Sequence, residues 1–77
     1  MCLAVPMEVL EIEGDNAKVG LWGVTREARL DVLDERPKIG DYVIVHAGFA
    51  IHLIDPEEAR YTIDLFEQAG LHHETLE

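Results

Sequence analysis

Seventy-seven residues, 48% apolar and 29% charged, describe one small globular domain with no room for two cores and little for a deep catalytic cleft. Sixteen acidic against six basic residues give a formal charge of −10, which repels phosphate backbones and anionic membrane surfaces. The same acidity steers a protein partner with a basic patch, or simply keeps a small chain soluble.

The leading segment MCLAVP, residues 1–6, holds the only cysteine and reads as a flexible arm. It carries no Lys or Arg and Pro6 interrupts it, so no secretory leader is expected here. A lone cysteine excludes an internal disulfide and suits a reducing compartment. No apolar run approaches the roughly 20 residues that span a bilayer. The expected location is the cytoplasm.

MEVLEIE at 7–13 alternates apolar and charged residues and predicts a half-buried strand. GDN at 14–16 is turn chemistry, and AKVGLW at 17–22 predicts a second strand paired with the first. After Gly23, Val24–Val32 reads as the cleanest strand. Val24, Ala28, Leu30 and Val32 share one face, which Arg26 interrupts. LDERPKIGD at 33–41 is a polar loop. YVIVHAGFAIHLI at 42–54 is β-branched and divided by Gly48, predicting two strands or one sharply bent strand.

DPEEA then opens a helix, with Asp55 as N-cap, Pro56 at the first position and Glu58 placed for a capping box. Ala59, Ile63, Phe66 and Ala69 follow at helical spacing, and Gly70 is a stop signal. The expected organisation is a single domain over 1–77: arm 1–6, barrel about 7–54, helix about 56–69, tail 70–77. The fold class is mainly β, a small closed or nearly closed barrel of about five strands with a C-terminal helix packed on it.

Chemistry-bearing residues are few. Removal of the initiator Met, which a small second residue permits, makes Cys2 N-terminal and sets its thiol beside a protonated α-amine. The nearby positive charge favours thiolate. One thiolate, with at most one imidazole, leaves most of a coordination sphere open, as a carrier requires and a structural site does not. Residue type alone favours an incidental surface cysteine. His46 is a borderline ligand for iron, nickel or zinc, or a half-buried strand histidine bonded to backbone. His52 reads the same way, while His72 and His73 read as solvated tail. No phosphate-binding loop, dinucleotide fingerprint or nucleophile motif is present.

MCLAVP at 1–6 and GDYVIVHAGFAI at 40–51 resemble the HypC/HupF family of nickel–iron hydrogenase maturation chaperones, as does DPEEA at the helix start. The resemblance spans essentially the whole chain. It implies an OB-like barrel and an assembly chaperone that is not an enzyme and has no permanent cofactor. The implied cargo is iron carrying cyanide and carbon monoxide, Fe(CN)2CO, held transiently. The implied partners are the HypD iron–sulfur scaffold protein and the hydrogenase large-subunit precursor, with no nucleic acid and no membrane. Carried onto this chain, Cys2 and His46 become the metal and cargo contacts. Cys2, Leu3, Ala4, Val5, Pro6, Gly48 and Phe49 become the partner contacts. Met7 and Glu8 depart from the family's usual Gly followed by Lys, Arg or Gln, reversing a charge beside the arm. The competing expectations are an OB-like nucleic-acid module, which the charge opposes, and a small thiol protein using Cys2 and His46.

Overall fold

Three two-residue turns shape the sheet. In the computed structural model, which describes residues 5–70, β1 (Pro6–Glu13) and β2 (Asn16–Leu21) are joined by Gly14 and Asp15, with Gly14 at φ 61°. A positive φ at the first turn position alone is the sign pattern of a type II′ turn, whose twist suits a hairpin. β3 (Val24–Arg29) follows through Trp22 and Gly23, at φ 53° and 80°. β4 (Tyr42–His46) passes into β5 (Phe49–Ile54) through Ala47 and Gly48, at φ 55° and 85°. Two successive positive values are the type I′ pattern. Gly48 therefore divides the apolar segment into two strands.

The strands close in the order β1-β2-β3-β5-β4, with β4 paired back to β1. The β3–β5 contact is parallel, made at Arg29 and Phe49, and the other pairings are antiparallel. Two bulges bend the sheet toward closure. Register slips between Val9 and Glu11 on β1, and the β4–β5 ladder steps from His52 to Ala50, leaving Ile51 as the extra residue. This is the small OB-like barrel expected, mostly β with one C-terminal helix.

Alternating side chains fill the interior. Val9, Val19, Val43 and Ala50 are fully covered, together with Met7, Ala17, Ala28 and Leu30. Residues 30–41 form a loop tied to β1, where Gly40 N–H donates to Val9 O at 2.9 Å and Val9 N–H donates to Asp41 O at 2.8 Å. The Arg36 guanidinium fastens the same loop to the first hairpin through Asp15 Oδ1 (3.0 Å) and the Gly14 carbonyl.

Helix α1 (Pro56–Gln68) has the N-cap and first residue its sequence predicts, but among the described residues the Glu58 side chain does not return a bond to the Asp55 N–H, so the capping box is not completed. The Asp55 carboxylate accepts from Glu57 N–H at 3.0 Å and Glu58 N–H at 3.4 Å, and Pro56 occupies the first turn. Gly70, at φ 74°, closes it through a bond from its N–H to Glu67 O. α1 packs against β1, with Ala59 and Ile63 buried, Phe66 half-buried and Ala69 exposed as the C-cap. Among the described residues no helix is long and apolar enough to cross a membrane.

Two sequence expectations need correction. The strand expected over Val24–Val32 stops at Arg29, and Val32 is 54% exposed. Its backbone is claimed elsewhere: Arg29 N–H donates to Gly48 O and Leu30 N–H to Asp15 O, after which the chain turns back with Leu33 N–H on Leu30 O. The arm expected over residues 1–6 also does not reach Pro6, which is the first residue of β1 and is fully buried beside a buried Val5.

Candidate functional site

His46 is the last residue of β4, and its imidazole is exposed rather than half-buried. The turn behind it is held in place: Gly48 O accepts from Arg29 N–H at 2.8 Å. Arg29 is itself fixed by Asp31, with Nε to Oδ1 at 3.3 Å and Nη2 to Oδ2 at 3.1 Å. The Asp31 carboxylate hydrogen-bonded to it raises the Arg29 pKa above its ordinary value. The Arg29 guanidinium, by the same bond, lowers that of Asp31.

His46 pairs with Phe49 across the turn, so the two side chains leave the same face. Phe49 and Ile51 are both about two-fifths exposed. His52 pairs with Ile44 and is exposed, and Ile44 lies two residues before His46 on the same strand face. The outer surface of β4–β5 thus gathers both imidazoles with Phe49 and Ile51. Residue spacing does not reveal that His46 and His52 share a face, because the bulge at Ile51 shifts the alternation of β5 by one residue.

The N-terminal segment enters next to this surface. Pro6 pairs with Ile44 on antiparallel strands, so tracing the chain back from Pro6 to Val5 leads toward His46. Val5 and Pro6, both among the expected partner contacts, are buried in this structure. As an apolar pair removed from water they anchor the start of β1. Cys2, Leu3 and Ala4 lie outside the described residues. Among the described residues no three His, Cys, Asp or Glu side chains stand together as a metal site. A metal held at His46 would need donors from elsewhere.

The small closed barrel thus presents an exposed histidine at the end of β4, near the point where its own N-terminal segment enters. The chain belongs to the HupF/HypC family, whose model matches residues 1–66 and so takes in both Cys2 and His46. It is 49% identical over 69 residues to the hydrogenase maturation factor HypC of Helicobacter hepaticus, covering 88% of this chain and 80% of that protein. The HypC of Rhizobium leguminosarum bv. viciae is 44% identical over 72 residues, covering 92% and 95%. That of Escherichia coli K12 is 39% identical, covering 87% and 80%.

Proposed function

We propose that this chain is a hydrogenase maturation chaperone of the cytoplasm whose Cys2 thiolate holds an iron unit, Fe(CN)2CO, for a short time and hands it on. The donor is the HypD iron–sulfur scaffold protein and the acceptor is the precursor of the nickel–iron hydrogenase large subunit. The observation that carries this reading is the β1–β4 register, which starts β1 at Pro6 two residues from the strand end that carries an exposed His46. Only Leu3 and Ala4 lie between Cys2 and Val5, so covalent geometry alone keeps its sulfur within roughly 11 Å of that anchor, plus a side-chain length.

The chemistry is matched to transfer. Iron bearing strong-field diatomic ligands is soft, and thiolate is a soft donor. An imidazole at His46 could take a second position or orient the thiolate by a hydrogen bond. With at most two donors from this chain, most of the coordination sphere stays with the cargo's own ligands and with the partner, so release needs no unfolding. Phe49 and the Gly48 turn supply an apolar, rigid edge for partner contact beside the imidazole.

The test is anaerobic co-purification with the scaffold protein followed by infrared spectroscopy. Cyanide and carbonyl stretches are expected in the wild-type complex, absent with Cys2→Ala and reduced or shifted with His46→Ala. Unchanged bands in the Cys2→Ala complex would overturn the assignment.

A further inference from the structure

A single row of residues crosses the outside of the barrel. Tyr42 pairs with Glu8 between β4 and β1, Glu8 with Gly20 between β1 and β2, and Gly20 with Thr25 between β2 and β3. Directly opposed residues project from one face. Their strand neighbours Met7, Val9, Val19 and Val43 fill the core, so the row lies on the outer face of the barrel, where Gly20 is itself buried beneath the Leu10 side chain. Gly20 brings no side chain to it. A recess of about 280 Å³ opens there, bounded by Leu10, Trp22 and Tyr42, with Glu8 in its wall.

Among the described residues the Glu8 carboxylate makes no hydrogen bond and no ion pair; only the carboxylates of Glu11, Asp15 and Asp31 have a basic partner there. Glu8 is also half-buried, so its charge is only partly hydrated. Beside it stands the ring of Tyr42, also half-buried. A carboxylate without a basic partner among the described residues, next to an aromatic ring in an open recess, has the parts that recognise a guanidinium. The carboxylate accepts its planar fork, and the ring receives its face. Lysine would satisfy the charge but not the stacking. The chain's charge of −10 draws such a group inward.

We propose that this recess is a docking pocket for one arginine side chain of a protein partner, with Glu8 as its ion-pair acceptor and Tyr42 as its stacking surface. That the partner is a maturation protein rests on the function proposed above; the chemistry of the pocket does not.

Trp22 is the only tryptophan of the chain and forms one wall, so its fluorescence and its indole N–H resonance report on occupancy. The full chain is titrated with acetyl-arginine amide and with its neutral isostere acetyl-citrulline amide, following Trp22 and the Gly20 and Thr25 amides by 1H–15N spectroscopy. Saturable shifts are expected with the arginine compound, and binding about fivefold weaker with citrulline. Glu8→Gln should bring arginine down to the citrulline level, with an unchanged thermal melting curve. Equal binding of the two compounds, no shift at Gly20, or unaltered binding by Glu8→Gln would overturn the proposal. Cys2→Ala should titrate as the wild type does. Conversely, Glu8→Gln should lower retention of the scaffold partner while the cyanide and carbonyl bands of what remains are unchanged. The two readings therefore fail separately.

Discussion

The indole Nε1–H of Trp22 donates to Glu67 Oε2 at 2.7 Å, tying the β2–β3 turn to the last turn of α1 across 45 residues of sequence. Both ends of this bond are held against a local preference. Trp22 sits at φ 53°, a left-handed conformation that an L-residue adopts only at a cost of about 1–2 kcal/mol. Glu67 places a carboxylate at the negative end of a helix whose last turn holds no basic residue. An indole donor offsets the second penalty and gives the first a structural purpose.

Loss of that bond should therefore loosen the C-terminal end of α1. Trp22→Phe and Glu67→Ala are each expected to destabilise by about 1 kcal/mol. That corresponds to roughly 4–8 °C in melting temperature for a domain of this size. Because the two side chains act through one bond, the double variant should be little worse than the poorer single variant. Circular dichroism melts of the four proteins decide it, and simple additivity would show that the bond contributes nothing.

The turn behind His46 offers a substitution with the opposite sign. Ala47 is exposed at φ 55°, so its methyl group costs conformational energy and covers little. Ala47→Gly should stabilise the protein by about 1 kcal/mol, the left-handed penalty removed, less the entropy a glycine adds to the unfolded chain. Gly48→Ala, at φ 85° in open space, should destabilise by at least about as much, for conformational rather than steric reasons. Denaturant melts read both, and a destabilised Ala47→Gly would mean the turn is not type I′ in solution.

The Arg29–Asp31 pair predicts an acid-limb effect. The Asp31 pKa is lowered by its hydrogen bond to Arg29, so the pair stabilises the fold above the ordinary aspartate pKa. That contribution is lost as pH falls through the lowered value. The raised pKa of Arg29 lies on the alkaline side, so its contribution is complete throughout the acidic and neutral range. Wild type should exceed Asp31→Asn in stability at pH 7, and the two should converge as pH drops below about 4. Both groups are exposed, so the difference should be small and should shrink with added salt. A gap that persists at pH 2 would assign it to packing instead.

Local chemistry made much of this molecule legible in advance. The Gly14–Asp15 turn, the division at Gly48, the Asp55–Pro56 helix start, the Ala59–Ile63 stripe and the Gly70 stop all follow from backbone preferences settled within a few residues. The likeness to a maturation family was likewise carried by two short motifs, and the match over residues 1–66 bears it out. His46 could be singled out by residue type, though not its exposure or its neighbours.

The rest belongs to contacts between distant residues. Val24–Val32 alternates as a strand should, yet its end is decided by Gly48 and Asp15, whose carbonyls take the Arg29 and Leu30 amides. Pro6 reads as part of a loose arm until β4 is placed alongside it. Neither the Trp22–Glu67 bond nor the row Tyr42, Glu8, Gly20, Thr25 leaves any trace in the spacing of residues. Sequence determined the turns, caps and periodicities because their energies are local. Barrel closure decided the faces, because which backbone groups pair depends on burial shared between strands far apart in the chain.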